Sequence, residues 1–251
     1  MQYYEGLDSR YWNGLKPPGY DYIFAGIKIS QGTKDNLDLS APKKQWQLAP
    51  DQGLARLPFH YWKGSWVQDA ERHGIEQAEF FFDMMVKLDP NMGELPPCVD
   101  AEDKWAKKGV QTLIDICMCA KRTEELWGKQ PLIYTASWWW NQWVTPYHNF
   151  DRGRYNPYQY RLWEADPPPD TKEPGDWTKD DIAIIQVVLD WYAPGFRQPN
   201  GRQAGIDVDW ANKEWYDEQV GTNPLPPNEK TVVDVHFDSS KAEILLIEKE
   251  E

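Results

Sequence analysis

Two acidic residues two positions apart, Asp100 and Glu102, have the types and spacing that could cleave a glycosidic bond. They end the segment Pro96–Glu102 (PPCVDAE), which is predicted to be a strand. Because side chains at i and i+2 of a strand point to the same side, both carboxyls would face one way. Repulsion between them raises the pKa of one and keeps it protonated near neutral pH. Glycoside cleavage needs such a proton donor and a second charge beside an oxocarbenium-like centre.

The pair Asp100 and Glu102 taken alone fits a solvated strand end better than a catalytic site. Two more acids, Asp8 and Asp209, lie where predicted strands end. In a β/α barrel the carboxyl ends of the strands converge on one mouth, so acids far apart in sequence can meet there. Asp207 is a rival for Asp209, because two residues separated by one position on a strand face the same way.

The elements that must position these acids are short apolar runs alternating with helical patterns, as in a mostly parallel β/α architecture. The predicted strands are Tyr3–Asp8, Tyr22–Ser30, Leu54–Trp62, Pro96–Glu102, Pro131–Ser137, Arg161–Ala165, Ile182–Val188 and Gly205–Asp209. Helical patterns occupy residues 41–52, 69–88, 107–127 and 210–219. Helices are scarce between the last strands. No Gly-rich phosphate loop follows the first strand, which argues against an open doubly wound sheet. The sequence therefore predicts the α/β class, with a single TIM-like β/α barrel whose second half is irregular, plus a short C-terminal tail.

The predicted domain organisation is a catalytic barrel at residues 1–220, a Pro-rich linker at 221–229 and a tail at 230–251. The linker sequence GTNPLPPNE is rich in Pro and Asn, which is typical of connecting segments. A tail this short cannot bury a core of its own. It is expected to pack on the barrel, to pair with another chain or to be disordered.

Composition excludes several function classes. The net charge is −13 and no basic stripe appears, which argues against nucleic-acid binding and against electrostatic docking on anionic membranes or teichoic-acid-rich walls. The 15 Trp residues suit both core packing and stacking on sugar rings. Cys117 and Cys119 fit small buried residues on a helix, and with Cys98 they form neither a disulfide framework nor a metal motif. We expect no cofactor and no metal.

The order of the motifs around these acids resembles glycoside hydrolase family 25, the Chalaropsis-type lysozymes. Each motif is short, and in this sequence they are Gly6-Leu7-Asp8 with Tyr11, Trp12 and Gly14, Ile27–Gly32 (IKISQG), Phe59-His60-Tyr61, Asp100-Ala101-Glu102, Leu132–Thr135 (LIYT) with Trp138–Trp140, Leu162–Ala165 (LWEA), Ile185-Gln186-Val187 and Val208–Asn212 (VDWAN). Together they cover about residues 3–219, and their shared order and spacing carry the resemblance.

Two departures from the family pattern concern aromatic positions. Ile185-Gln186-Val187 stands where the family has Trp-Gln-Tyr, so aromatic surface is lost on that strand. After Leu-Trp the family has an apolar residue, Ala and an aromatic residue. Here Ala165 is kept, but Glu164 and Asp166 stand at the other two positions and Pro167–Pro169 follow. These changes bear on the sugar subsites more than on the chemistry, because all the proposed carboxylates are present.

The resemblance implies a lysozyme, an N-acetylmuramidase that hydrolyses the β-1,4 bond between N-acetylmuramic acid and N-acetylglucosamine in peptidoglycan. Glu102 would be the general acid/base. Asp100 would orient the substrate's 2-acetamido group, which acts as internal nucleophile and gives retention of configuration. Asp8 and Asp209 would complete the acidic floor of the site.

Five further residues are candidates for substrate binding, and three of them also have a structural alternative; the five are Tyr61, Tyr134, Trp163, His60 and Lys28. The two tyrosines could donate to the acetamido group or pack in the core. Trp163 could stack on sugar. His60 could contact sugar or a catalytic carboxylate, or be a satisfied structural residue. Lys28 would pair with an acidic neighbour in the mouth, where an unpaired ammonium is costly.

The expected partner is therefore peptidoglycan, without nucleic acid and without membrane insertion. No signal peptide is visible in MQYYEGLDSR, so action on the bacterial cell wall is expected after phage-type release or from a virion, where the tail could contact another component. Two alternatives stay open. One is a catalytically weak glycan-binding or virion structural protein on the same barrel, and the other is a barrel glycosidase acting on a soluble glycan.

Overall fold

The computed structural model describes residues 2–8, 22–33, 39–64, 68–165, 173–191, 206–221, 233–238 and 243–247. Of the sequence features above, Tyr11, Trp12, Gly14, residues 166–169 and linker residues 222–229 lie outside these ranges. Within the ranges no helix combines the length and apolarity needed to cross a bilayer.

Eight strands close into a barrel. They are β1 (Gln2–Asp8), β2 (Phe24–Gln31), β3 (Ala55–Tyr61), β4 (Cys98–Asp100), β5 (Leu132–Thr135), β6 (Arg161–Glu164), β7 (Ile182–Trp191) and β8 (Ile206–Asn212). Neighbours from β1 to β7 pair in parallel. The strand β8 then closes the barrel between β7 and β1. This confirms the predicted β/α barrel.

The direction of β8 differs from the expectation of a mostly parallel barrel that ends at Asp209. This strand runs antiparallel to both of its neighbours and continues to Asn212. Its first residues, not its last, therefore lie at the end of the barrel where the parallel strands finish. Asp8 of β1 is paired with Asp207, and Gly6 is paired with Asp209, so Asp209 lies one pleat deeper.

Five helices flank the barrel in the described part of the chain: α1 (Ser40–Leu48), α2 (Ala70–Leu88), α3 (Val110–Trp127), α4 (Ser137–Trp143) and α5 (Lys213–Val220). The predicted helix at 41–52 is divided, because Pro50 has no N–H with which to continue it. Helix α3 begins only after Gly109, so residues 107–109 belong to the preceding loop. Asn212 caps α5 by accepting from the Trp215 N–H. Helix α4 was not predicted.

Successive side chains of each strand point alternately into the barrel and out toward the helices, so the strands have two apolar surfaces. One set of side chains fills the barrel interior, and its members include Tyr4, Phe24, Leu57, Phe59, Cys98, Leu132, Trp163 and Ile184. The other set packs outward against the helices, and its members include Ile27, Ile29, Val99, Ile133 and Leu162. Because the pleat has period two, the next inward positions beyond the apolar layer point into the mouth. The mouth residues are therefore fixed by the packing below them.

Two short strands of the tail, β9 (Val233–Asp238) and β10 (Glu243–Ile247), form an antiparallel pair. Strand β9 pairs with β1 only at Gln2 and Tyr3, whereas β1 is already held by β2 and β8 along its remaining length. The backbone placement agrees with a tail that packs on the barrel, and the domain boundaries stay a prediction.

Removal of the tail is expected to leave the barrel folded. Among the described residues, the backbone pairing between the tail and the barrel is limited to Gln2 and Tyr3 of β1. A chain that stops after residue 221 should therefore have a melting temperature within a few degrees of that of the full chain. Thermal unfolding followed by circular dichroism at matched concentration measures this. A large fall in melting temperature would instead make residues 230–251 part of the barrel domain.

Candidate active site

The barrel mouth is lined by polar side chains toward the carboxyl ends of the five neighbouring strands β1 to β5. Tyr61 on β3 is paired with Asp100 on β4, and Asp100 is paired with Tyr134 on β5. Asp8 lies at the end of β1, and a Cβ added to Gly26 of β2 would lie 3.3 Å from the Asp8 Cβ. The parallel arrangement thus brings together residues separated by more than a hundred positions, as expected for the mouth of such a barrel.

Glu102 lies in the loop that follows β4, because this strand ends at Asp100. The prediction that both carboxyls share a strand face is therefore wrong in detail. The Glu102 carboxylate nevertheless raises the pKa of Asp100, Asp8 and Tyr134, which places it at the mouth with them. Its side chain is partly exposed, whereas Asp100 is only 7% exposed. Glu102 is thus placed to meet a bound ligand from the open side.

Burial in the barrel mouth raises the pKa of two carboxyls, Asp100 and Asp8. Burial is the main cause of the raised pKa of Asp100, followed by repulsion from Glu102 and opposed by Lys28. Burial also raises the pKa of Asp8, followed by repulsion from Asp207 and Glu102, and Lys28 again opposes the shift. The Lys28 ammonium therefore favours the ionised form of both carboxyls, and its Nζ also lies 4.4 Å from the Tyr61 ring centroid.

Asp209 and its rival Asp207 occupy different levels of the barrel. Asp207 is partly exposed beside Asp8, whereas Asp209 is fully buried beneath it. Burial and repulsion from Asp8 raise the pKa of Asp209, and the indole N–H of Trp163, which donates to Asp209 Oδ1 over 3.0 Å, opposes the shift. Asp207 therefore lies at the rim of the mouth, and Asp209 lies below it in the barrel interior.

The Asp209→Asn substitution should stabilise the barrel at neutral pH. The folded chain holds the Asp209 proton at pH values where the unfolded chain has lost it, so the free energy of unfolding falls as pH rises from about 4 toward the raised pKa. Asparagine has no charge to bury, and its Oδ1 can still accept from Trp163. We expect the melting temperature at pH 7 to rise by about 2–4 °C, equivalent to about 1 kcal/mol, with little change near pH 4. Melting curves across this pH range test it, with the exposed Asp83→Asn as control; equal shifts in both variants would contradict it.

Tyr134 and Gln186 form a polar contact across the interior. The Tyr134 hydroxyl donates to Gln186 Oε1 over 3.1 Å. Gln186 is fully buried and is paired on the sheet with Asp209. Gln186 was not among the predicted site residues, although the family motif Trp-Gln-Tyr has Gln at the same place.

Two predicted substrate-binding residues have structural positions instead. His60 faces outward between Phe59 and Tyr61, its Nδ1 hydrogen-bonds with Ser30 Oγ (2.8 Å), and its ring stacks on Phe81. Burial lowers its pKa to about 3, so the imidazole stays neutral. This corrects the expectation that His60 contacts sugar.

Trp163 is only 1% exposed and lies inside the barrel. Its ring is so close to Gly26 that a Cβ there would lie 2.8 Å away. The indole therefore offers no open face for a sugar, and its N–H holds Asp209 instead. The expected stacking role of Trp163 is corrected to a positioning role.

Three buried polar atoms of the site have no hydrogen-bond partner among the described residues: Asp100 Oδ1, Asp209 Oδ2 and Gln186 Nε2. A buried polar atom without a partner is costly in a folded protein. Their concentration in the barrel interior indicates a site that a ligand with donors and acceptors could complete. In the described part of the chain, no cluster of His, Cys, Asp and Glu is arranged to hold a metal ion.

Solved structures with the same fold include fungal enzymes. A muramidase from Trichobolus zukalii is 19% identical with a TM-score of 0.63, and a family 25 lysozyme from Aspergillus fumigatus is 20% identical with a TM-score of 0.62. Each comparison covers 87% of this chain and 100% of the other. At sequence identities this low, the similarity shows a shared fold and nothing about activity.

The comparison with curated proteins finds an uncharacterized protein, YegX, from Escherichia coli. It is 26% identical over 163 residues, which is 64% of this chain and 52% of that protein. The chain therefore spans about half the length of the curated relatives that it matches.

A family model described as Glycosyl hydrolases family 25 matches residues 2–183. The matched region contains Asp8, Asp100 and Glu102 and ends before Gln186 and β8. It covers well over half of the sequence and confirms the resemblance found in the motifs. The chain belongs to glycosyl hydrolases family 25.

Proposed function

We propose that this chain is a lysozyme that hydrolyses the β-1,4 bond between N-acetylmuramic acid and N-acetylglucosamine in peptidoglycan. The observation that carries the proposal is the carboxyl cluster at the barrel mouth, where the partly exposed Glu102 interacts with the buried Asp100. Family membership supports the reaction class. A site that only bound glycan would gain nothing from carboxyls that repel one another.

Glu102 is proposed as the general acid/base. It is the partly exposed member of the pair, so its carboxyl can reach the glycosidic oxygen of a bound strand. In the first step it donates a proton to the leaving oxygen as the bond to the anomeric carbon breaks. In the second step it removes a proton from the attacking water.

Asp100 is proposed to orient the 2-acetamido group of the substrate. The acetamido oxygen attacks the anomeric carbon and forms a cyclic oxazolinium ion, which water then opens with net retention. The unpartnered Asp100 Oδ1 can accept the acetamido N–H. The Lys28 ammonium opposes the rise in the pKa of Asp100, so it helps this carboxyl to ionise and to stabilise the positive charge that develops on the acetamido group. Tyr61 and Tyr134, paired with Asp100 on either side, are proposed to bind the same sugar.

Asp8 and Asp209, which form the floor of the site, are proposed to control the protonation of Asp100 and Glu102. Asp8 and Asp209 are themselves coupled by repulsion, and Asp8 also raises the pKa of Asp100. The Lys28 ammonium offsets part of this charge. With peptidoglycan as substrate, the place of action would be the bacterial cell wall, reached by phage-type release or from a virion.

Digestion of purified peptidoglycan, with mass spectrometry of the products, tests the proposal. New N-acetylmuramic acid reducing ends are expected, and the first anomer formed should have the configuration of the substrate. New N-acetylglucosamine ends would assign a different bond. Absence of new ends on several wall types, with binding retained, would support a glycan-binding structural protein instead.

A further inference from the structure

An exposed basic and aromatic loop follows Glu102 at the barrel mouth. Residues 104–108 (KWAKK), which we call the rim loop, contain three lysines and Trp105. The Trp105 side chain is 78% exposed, although most tryptophans of the described chain are buried or half-buried. A fully solvated indole beside a reaction site is a surface on which a sugar or an alkyl group can pack.

The backbone of the rim loop is held firmly from below. The Asp103 carboxylate accepts from the N–H groups of Trp105 and Gly64, both over 3.0 Å. The indole N–H of Trp139 donates to the Asp103 carbonyl (3.1 Å), and that of Trp143 donates to the Ala106 carbonyl (2.9 Å). The exposed side chains therefore project from a fixed loop, which lowers the entropy lost on binding a ligand.

The charge of the rim loop is opposite to that of the mouth. Lys104 Nζ lies 5.7 Å from the Trp105 ring centroid, and Lys108 Nζ lies 4.2 Å from the ring of Trp143 and 3.1 Å from Gln142 Oε1. In a chain of net charge −13, these exposed ammonium groups lie on a loop that begins two residues after Glu102. An anionic group would be repelled by the carboxyls and attracted to the rim.

We propose that the rim loop binds the peptide-bearing part of the glycan strand, with Trp105 packing against the strand and Lys104 and Lys108 pairing with stem-peptide carboxylates. The inference rests on the proposed function, because it takes peptidoglycan as the ligand. Continuity with Glu102 places the rim loop next to the mouth that would hold the glycan, and the carboxylates of the stem peptides complement the lysines. A neutral oligosaccharide has no carboxylate for the lysines, so it would contact Trp105 only.

Binding to matched ligands tests the proposal. Full-length Glu102→Gln protein is titrated with soluble glycan strands that carry stem peptides and with the same strands after an amidase has removed the peptides. We expect the peptide-bearing strands to bind about fivefold more tightly at low salt and the preference to weaken as salt rises. The Lys104→Gln/Lys108→Gln double substitution should abolish the preference, whereas Trp105→Ala should weaken binding of both ligands.

The matched controls are Val86→Ala and Lys87→Gln, which lie on the last turn of α2 at the opposite end of the barrel. Neither should change the preference. Equal binding of both strands, or an unchanged preference in the double lysine variant, overturns the proposal, as does a preference seen only on strands that retain teichoic acid. Failure of the proposed function is distinguishable, because it appears as absent cleavage by the unsubstituted chain, whereas this test measures binding without turnover.

Discussion

The Glu102→Gln variant is expected to lose about a thousandfold in turnover of peptidoglycan while keeping its fold and its affinity for glycan. The amide has nearly the same shape but can neither donate the proton to the leaving oxygen nor remove one from water, and general acid–base catalysis contributes effects of this size. Because Glu102 is partly exposed and lies in a loop held by Asp103, the substitution leaves the packing unchanged. The measurement is kcat from the release of new reducing ends, together with melting temperature and binding.

The control for this variant is Glu125→Gln on the outer surface of α3, where the same chemical change removes a carboxylate that pairs with Arg122. It should retain full turnover. Near-full activity of Glu102→Gln would remove the general acid/base assignment, and a matching loss in the control would trace the effect to preparation of the protein rather than to the site.

The Asp100→Asn variant is expected to lose about a hundredfold in kcat with a smaller change in KM. Asparagine can still accept a hydrogen bond, but it lacks the charge that stabilises the oxazolinium-like transition state, and loss of one such electrostatic contact costs about this much. The neighbouring tyrosines on β3 and β5 are expected to keep the sugar bound. Steady-state kinetics on soluble glycan strands separate the two parameters.

A second readout makes the role of Asp100 specific. A thiazoline analogue of the cyclic intermediate should bind the unsubstituted chain more tightly than the parent sugar, and Asp100→Asn should lose most of that advantage. The exposed Asp83→Asn on α2 serves as control and should bind the analogue normally. Unchanged analogue affinity in Asp100→Asn, or a first product of inverted configuration, would contradict substrate-assisted catalysis.

The approximate places of the strands along the chain, and of the acids at their ends, followed from the sequence because both depend on local pattern. Short β-forming runs separated by helical periodicity predict strands near their observed places, and the carboxyl end of a parallel strand must lie at the mouth. In the structure Asp8, Asp100, Lys28, Tyr61 and Tyr134 lie toward the carboxyl ends of their strands, and their roles stay predictions. The same reasoning located the helix at 69–88, whose cap Asp69 accepts from the Arg72 N–H.

Tertiary structure alone decided which end of the last strand faces the mouth and which side chains turn inward. Strand β8 pairs antiparallel to β7 and β1, a choice that depends on partners far away in sequence, and it separates Asp207 from Asp209 by one pleat. His60 carries the same motif signal as Tyr61, yet the two-residue period turns it toward Phe81. The sequence by itself therefore determined the barrel and its acidic mouth, whereas long-range pairing and packing determined the depth, the direction and the partner of each side chain.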